Sequence, residues 1–312
     1  MNAIEMSMRD IYGQELASLG DEYPELVVLD ADVSSSTKSV IFGEKFPDRF
    51  FNVGVAETNM VDIAGGLTMC GFKAVVNTFA VFLSLKTAEQ IRNVVCYNNL
   101  PVVLVGSYAG LSDSFDGASH QSVEDIAIMR ALPNMNVIVP ADAIEMKQAL
   151  RQAIDLSAPV YLRLCRNPTP VLFDHSESFR FGKIRVVEEG NDITIAACGI
   201  TVAFALQAVE QLKAAGISAE LLNVSTIKPF DEETLIRSVQ KTKRILTVEE
   251  HSILGGLGGA VSEVLMKNYP VIGDSIGLDD TFPETGAYDE LLEKYRISTS
   301  AILEKVAKLL IN

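Results

Sequence analysis

Two stretches of this sequence place chemically capable side chains where an apolar run gives way to a helical pattern. In FNVGVAETNMVDIAGGL, Glu57 lies in an otherwise apolar stretch, as either a charge at a helix N-terminus or a functional acid. In NTFAVF, Phe79 and Phe82 follow a strand-like run and could stack on a flat ring, although such pairs more often belong to a core. Taken alone, each feature is explained at least as well by structure as by chemistry.

A third stretch, GLSDSFDGASHQS at 110–122, is a Gly- and Ser-rich polar loop between a predicted strand and a predicted helix. It carries Asp113, Asp116 and His120. A single histidine is ambiguous, but an aspartate four residues before it makes a functional site as good an interpretation as a structural one.

Four basic residues are scattered through the first half of the chain, namely Arg9, Lys38, Arg163 and Arg166. The planar guanidinium of arginine matches two oxygens of a phosphate group. Each of these residues, taken singly, is expected to be a surface charge. The GGLGG at 255–259 lacks the spacing of a dinucleotide fingerprint, and we expect it to let a helix start close to a strand.

The elements that would position these residues alternate between strand and helix. Apolar runs rich in Val and Ile predict buried strands at 26–29, 50–54, 73–79, 101–108, 135–141 and 159–165. Helical patterns at 8–19, 84–97, 120–132 and 142–157 separate them, which predicts a parallel sheet covered by helices. In such sheets the site lies at the carboxyl ends of the strands, where all three candidate stretches fall.

The rhythm breaks at 167–190, which contains Pro168 and Pro170 and is predicted to be a linker. A second strand–helix alternation follows, with strands predicted at 192–199, 218–224 and 244–250. The predicted fold class is therefore α/β, with two doubly wound domains at 1–166 and 191–312.

Composition narrows the classes of function. The formal net charge of −15 argues against a nucleic-acid partner, because an acidic surface repels phosphate backbones. The four cysteines have no metal-ligand spacing and lie in apolar runs, which is typical of a reducing compartment. No signal peptide or membrane-length apolar run is present, so we expect a cytoplasmic protein without a membrane partner.

Together the three candidate stretches resemble the pyrimidine-binding domain of transketolases. The second half, with TIKPFDEETL and VEEHSILGGLGGAVSEVL, resembles the C-terminal domain of the same enzymes. Deoxyxylulose-phosphate synthases and the β subunits of 2-oxo acid dehydrogenases share this domain. The resemblance covers nearly the whole chain and implies a thiamine-diphosphate enzyme.

The resemblance also implies roles at the cofactor. Glu57 matches the catalytic glutamate that hydrogen-bonds the pyrimidine N1′ of thiamine diphosphate. Phe79 and Phe82 match the aromatic residues that pack on the pyrimidine ring, and Asp32 matches an acidic residue near the cofactor. The family often has a tyrosine where this chain has Leu85, so the stacking pocket is altered.

Further roles concern the substrate. His120 matches the catalytic histidine that contacts the substrate oxygen at the reacting carbon, and Asp116 matches the residue that recognises a sugar hydroxyl. A phosphate-binding set at the mouth of the cleft comprises Arg9, Ser36 and Arg166. Tyr108 stands where transketolases carry another phosphate-binding histidine, and it brings no positive charge.

One expected motif is missing. Thiamine enzymes hold Mg²⁺ and the diphosphate with GDG followed by an NN turn, and this sequence contains no GDG. The resemblance therefore implies that a partner subunit supplies the Mg²⁺ ligands and shares the cofactor, whereas this chain has no metal ligands of its own.

The predicted function is that of the C-terminal subunit of a two-subunit transketolase, with an α2β2 assembly. It would move a two-carbon ketol unit from a ketose phosphate to an aldose phosphate, as in the pentose phosphate pathway. The alternatives are a 2-oxo acid dehydrogenase β subunit, half of a deoxyxylulose-phosphate synthase, and a non-catalytic interaction subunit.

Overall fold

Residues 4–174 and 178–311 are described by the computed structural model, and their strands form three sheets. The strands are β1 Glu5–Ser7, β2 Leu26–Asp30, β3 Phe50–Asn52, β4 Lys73–Phe79, β5 Val102–Ser107, β6 Asn136–Ile138, β7 Val160–Arg163, β8 Pro168–Pro170, β9 Arg185–Glu188, β10 Ile193–Ala197, β11 Ala219–Asn223, β12 Thr226–Lys228, β13 Arg244–Ser252 and β14 Ile272–Leu278.

Twelve α-helices cover these sheets within the described part of the chain. They are α1 Met8–Glu22, α2 Ser34–Thr37, α3 Val40–Lys45, α4 Glu57–Met69, α5 Ala88–Gln90, α6 Asp125–Ala131, α7 Ala143–Asp155, α8 Thr201–Ala214, α9 Glu232–Thr242, α10 Leu257–Asn268, α11 Tyr288–Lys294 and α12 Thr299–Ile311.

The sheet of the first domain has the strand order β12-β6-β7-β5-β4-β2-β3. All its pairings are parallel except that of β12 with β6. Every residue of β2, β5 and β7 is buried, as expected for strands covered by helices on both faces. The carboxyl ends of β2, β4, β5 and β7 therefore open on one edge of the sheet.

The second sheet has the order β14-β13-β10-β11-β9, and only β9 runs antiparallel to its neighbour. Two parallel sheets covered by helices confirm the predicted fold class. The second half of the chain also contributes to the first sheet, because β12 pairs with β6 there. The two domains are thus joined by main-chain hydrogen bonds as well as by side chains.

The segment predicted as a linker contains two strands. β8 pairs with β1, and β9 pairs with β11 at the edge of the second sheet. Residues 175–177 of that segment lie outside the described residues. The domain bounds themselves stay a prediction.

The structure differs from the predicted elements at two places that matter for the site. Where one helix was expected at 84–97, π-helical turns at Phe82–Lys86 and Ile91–Cys96 flank the short α5. The helix expected from 120 begins only at Asp125, so the preceding residues extend the polar loop. π-helical turns are frequent at functional sites, because they re-aim side chains within a helix.

One expectation about the cysteines needs correction. Cys70 is exposed, whereas Cys96, Cys165 and Cys198 are buried as expected of small apolar side chains, and all four are free thiols. Within the described residues, no helix has the length and apolar character needed to span a membrane.

Candidate active site

An aromatic cluster lies at the carboxyl ends of β4 and β5. Phe79 is the last residue of β4, and its ring stacks on that of Tyr108, just beyond β5, at a centroid distance of 4.8 Å. Tyr108 has a φ of +62°, a left-handed conformation that is uncommon for a bulky side chain and often marks a functional site.

His120 closes this cluster from the polar loop. Its imidazole lies edge-on to Phe82, with centroids 5.2 Å apart, and 6.2 Å from the ring of Phe79. The two phenylalanine rings are 6.2 Å apart and inclined by 29°. The structure thus brings together three residues that span 41 positions of the sequence, from Phe79 to His120. The two phenylalanines offer flat apolar faces beside the titratable ring of the histidine.

A cationic cluster borders the aromatic one. The guanidinium carbons of Arg9 and Arg166 lie 5.5 and 4.8 Å from the centroid of the Tyr108 ring. Arg9 donates hydrogen bonds to the Tyr108 hydroxyl and, at 3.5 Å, to the carbonyl oxygen of Ser36. The Tyr108 hydroxyl donates to the same carbonyl at 2.9 Å. The Ser36 side chain itself makes none of these contacts.

Two aspartates of the loop reach the same cluster. Arg166 Nη1 lies 2.6 Å from Asp113 Oδ1 and 3.4 Å from Asp116 Oδ2. Asp113 is fully buried, whereas Asp116 is about half exposed. Burial and, after it, the neighbouring Asp116 raise the pKa of Asp113 to about 7, although Arg166 acts in the opposite direction.

Glu57 lies in the first turn of α4 and is only 2% exposed. Its Oε2 lies 2.5 Å from Nζ of Lys86, the last residue of the π-helical turn that Phe82 begins. The π-helical turn therefore links Glu57 to the aromatic cluster. Lys86 escaped the sequence analysis, because only the π-helical geometry turns it towards Glu57.

Asp32 is not brought into this cluster by any contact among the described residues. It is exposed at the end of β2, and its carboxylate accepts a hydrogen bond from Asn52 at 2.8 Å. The buried acid of the DAD sequence is Asp30, which accepts from Thr37, Ser39 and the backbone N–H of Val33.

Residues of the second domain bind the polar loop through hydrogen bonds. The buried Glu250 accepts hydrogen bonds from the backbone N–H of Leu111 at 2.7 Å and from the Tyr288 hydroxyl at 3.0 Å. Gln121 donates to the carbonyl oxygen of Glu284 at 3.1 Å. The loop conformation consequently depends on residues more than 100 positions away.

A buried ion pair within the first domain also contacts the second domain through a hydrogen bond. Arg163 Nε donates to Asp125 at 2.8 Å, and its Nη2 donates to the carbonyl oxygen of Glu250 at 2.9 Å. Because Arg163 is only 6% exposed, its interpretation as a surface charge was wrong. Its partners are too distant in the sequence for spacing to reveal them.

The glycines at 255–259 start a helix close to a strand, as expected. The first backbone N–H groups of α10, at Leu257 and Gly258, donate to Glu249 of β13 at 2.6 and 2.8 Å. A Cβ at Gly256 would lie 2.0 Å from that carboxylate, so only glycine fits there. This element is structural and lies outside the aromatic and cationic clusters.

The site does not coincide with a large cavity found elsewhere in the structure. A cavity of about 830 Å³ is lined by Phe179, Arg180 and Asp231, and no residue of the aromatic cluster lines it. The candidate site is instead formed by the aromatic and cationic clusters together with Glu57. Three exposed apolar residues lie within two positions of Glu57, Lys86 and Asp116 in the sequence, namely Val55, Leu85 and Phe115.

The residues present fit one part of a thiamine cofactor. A buried carboxylate next to flat aromatic rings suits a ring that offers both a hydrogen-bonding nitrogen and an apolar face. Across residues 4–174 and 178–311, no three carboxylate, histidine or cysteine side chains converge to hold a metal ion. The described residues thus offer a carboxylate and aromatic faces that suit an aminopyrimidine.

Comparison with known proteins identifies both halves of the chain. Residues 4–171 match the family described as the transketolase pyrimidine binding domain, and residues 182–302 match the transketolase C-terminal domain. The chain belongs to the transketolase family, which confirms the resemblance seen in its sequence.

Individual relatives agree with this assignment. A Methanocaldococcus jannaschii protein with the provisional description transketolase C-terminal section is 44% identical, over 98% of this chain and 97% of its own length. The 6-deoxy-6-sulfo-D-fructose transketolase subunit of a Clostridium species is 39% identical, over 95% of this chain and 92% of its own length. A solved structure entitled split gene transketolase, inactive beta4 tetramer, is 43% identical with a TM-score of 0.92, covering 98% of this chain and 99% of that one.

Proposed function

We propose that this chain is the cofactor- and substrate-binding half of a two-subunit transketolase. The reaction is the transfer of a two-carbon ketol unit from a ketose phosphate to an aldose phosphate. The observation that carries the proposal is the buried carboxylate of Glu57 joined through one π-helical turn to the cluster of Phe79, Phe82 and His120.

In this proposal Glu57 holds the aminopyrimidine of thiamine diphosphate by a hydrogen bond, and Phe79 and Phe82 pack on the ring. The chemistry that thiamine diphosphate supplies when bound is that of a carbon nucleophile towards a ketone. Glu57 is well placed for this role, because its burial excludes competing water. Asp32, which is exposed just beyond β2, lies near the cofactor in this proposal without contacting the residues of the aromatic cluster.

His120 contacts the oxygen at the reacting carbon, where it exchanges a proton, and Asp116 binds a hydroxyl of the donor sugar. The charged end of the sugar lies against Arg9, Tyr108 and Arg166. Arginine guanidinium groups suit such an anionic end because each presents a planar fork of donors. The carbonyl oxygen of Ser36 orients Arg9 and Tyr108 for this contact.

The partner is a subunit that carries the diphosphate- and Mg²⁺-binding domain. Three exposed apolar side chains, Val55, Leu85 and Phe115, lie within two positions of Glu57, Lys86 and Asp116 in the sequence and fit such a contact. We propose an α2β2 assembly in the cytoplasm, with Mg²⁺ held by the partner. A relative entitled an inactive β tetramer accords with a chain that needs a second subunit for activity.

The test is a ketol-transfer assay on this chain mixed with the product of a neighbouring gene that carries GDG. Glu57→Gln should lower kcat at least about 100-fold, because removal of a positioned proton-transfer group costs that much or more. Glu145→Gln is the matched control, since both glutamates lie in the first turn of a helix and are 2% exposed. Full activity of the Glu57 variant would refute the assigned role.

The same mixture separates the alternatives. Release of CO₂ from pyruvate would indicate a deoxyxylulose-phosphate synthase half, and acyl transfer to a lipoyl domain would indicate a 2-oxo acid dehydrogenase subunit. The paired guanidinium groups of Arg9 and Arg166 favour a substrate with an anionic end over either lipoyl transfer or a non-catalytic role.

A further inference from the structure

The cationic cluster carries less positive charge than its two guanidinium groups suggest. Arg166 Nη1 is bound by Asp113 Oδ1 at 2.6 Å, and Asp116 Oδ2 lies 3.4 Å away. The Asp113 side chain is fully buried. Above pH 7, where Asp113 with its raised pKa of about 7 is mostly ionised, Arg166 is therefore largely compensated by protein carboxylates before any substrate binds.

Arg9 differs from Arg166 in this respect. Within the described residues it makes no ion pair with a carboxylate, and its Nη1 donates to Tyr108 and to the Ser36 carbonyl instead. Its buried Nε has no hydrogen-bond partner there. The nearby Lys38 is paired with Asp10 at 3.6 Å. One guanidinium of the cluster thus stays uncompensated, and Tyr108 adds a neutral hydroxyl.

An anionic ligand bound at this cluster is repelled by the carboxylate of Asp113. One Asp113 oxygen, Oδ2, is buried and has no hydrogen-bond partner in the part of the chain that the structure describes. A phosphate monoester carries a charge of about −1.5 to −2 at pH 7, whereas a sulfonate carries a single charge. Repulsion from a fixed carboxylate grows with ligand charge, and such repulsion is a common source of specificity.

From this charge arrangement we infer that Asp113 is a specificity-determining residue, which adapts the cationic cluster to a singly charged tail group. A ketose that ends in a sulfonate is then at least as good a donor as the ketose phosphate with the same carbon chain. The inference rests on the proposed function and extends its class of donor sugars.

The experiment compares ketohexoses that carry either a phosphate or a sulfonate on carbon 6, with the two-subunit enzyme at pH 8. In the wild type, kcat/KM for the sulfonate should equal or exceed that for the phosphate. Asp113→Asn keeps the Oδ1 acceptor for Arg166 but removes the charge. It should shift the ratio about tenfold towards the phosphate. Asp280→Asn, an exposed change in the second domain, is the control for the same change in net charge.

A binding measurement separates this inference from the proposed function. Glycerol 3-phosphate and 2,3-dihydroxypropane-1-sulfonate are titrated into the full chain, first the wild type and then Asp113→Asn. Binding is followed by ligand-observed NMR, which requires no turnover. A preference for the sulfonate that Asp113→Asn removes, without ketol transfer, would reject the proposed function and leave Asp113 standing as the residue that selects the tail group. A clear wild-type preference for the phosphate, or the same ratio in the wild type and Asp113→Asn, would overturn the inference.

Discussion

The polar-loop end and the Glu57 end of the candidate site differ in the contacts that the rest of the chain makes with them. At the polar-loop end, Leu111 and Gln121 are bound by the second domain through Glu250 and the carbonyl of Glu284. At the Glu57 end, the side chain of Leu85, next to Lys86, is 52% exposed. The second domain thus holds the conformation of the loop, whereas the Glu57 end presents an exposed apolar side chain that suits a partner.

The largest effect should come from breaking the buried ion pair between Arg163 and Asp125 near the polar loop. Arg163→Met leaves the buried Asp125 without its partner, so the free energy of unfolding should fall by about 3–5 kcal/mol. Chemical denaturation measures this change. Arg296→Met, which removes an exposed ion pair with Glu304, is the matched control and should cost at most about 1 kcal/mol. Equal losses of stability in the two variants would show that the buried Arg163–Asp125 pair matters no more than an exposed one.

Next in size is the effect of the uncompensated guanidinium. Arg9→Met should raise KM for a donor with a charged tail by about tenfold or more, since a hydrogen bond to a charged group is lost. Steady-state kinetics with the same sugar lacking its charged group provide the control, and that KM should hardly move. A uniform rise for both sugars would place Arg9 outside the tail-binding cluster.

The exposed Leu85 at the Glu57 end leads to a prediction about subunit assembly. Leu85→Glu should weaken association with the partner subunit by about tenfold, because a charge is desolvated at an apolar contact. Analytical ultracentrifugation of the mixed subunits measures the change. Ile272→Glu is the matched control, since Ile272 is similarly exposed, at 53%, but belongs to the edge strand of the second sheet. If both variants assembled normally, the exposed side chain of Leu85 would not be part of the subunit interface.

The smallest predicted effect concerns pH and the carboxyl that holds the loop. Burial raises the pKa of Glu250 to about 7, against the opposing influence of Arg163. The folded state therefore retains a proton that the unfolded state has lost, and Glu250 makes the fold less stable as the pH rises from about 4.5 to 7. Glu250→Gln keeps both hydrogen bonds but cannot ionise.

The stability difference between Glu250→Gln and the wild type should consequently move in favour of the variant as the pH rises through this window. Urea denaturation at pH 5, 6 and 7 tests it, with Glu290→Gln, an exposed glutamate of α11, as the control. A difference that stays constant with pH would mean that Glu250 does not titrate there.

Much of the fold followed from the sequence, because its strands are buried on both faces and form continuous apolar runs between Gly, Pro and Asn residues. β2, β4, β5 and β7 lie where those runs predicted them. β12 could not be placed in this way, since its partner β6 is nearly 90 positions earlier and a three-residue strand has no periodicity to detect. The same limit hid the partners of Arg163.

The candidate site divides in the same manner. Residue types pointed to Glu57, Phe79 and His120, and the resemblance to transketolases assigned their roles. Lys86 became visible only with the π-helical turn that directs it to Glu57. The pairing of Asp113 with Arg166 also needed the fold, because 53 positions separate them. Local pattern finds the candidate residues, whereas the charges that surround them are set by tertiary contacts.

The central claim is that Glu57 binds the aminopyrimidine of a cofactor whose diphosphate is held by another subunit. Isothermal titration calorimetry with thiamine diphosphate and Mg²⁺ tests this claim on the chain alone, the partner alone and the mixture. Tight binding is expected only in the mixture, and Glu57→Gln should weaken it about tenfold or more, whereas Glu145→Gln should leave it unchanged. Equally tight binding by the partner alone, or by the mixture with Glu57→Gln, would contradict the account.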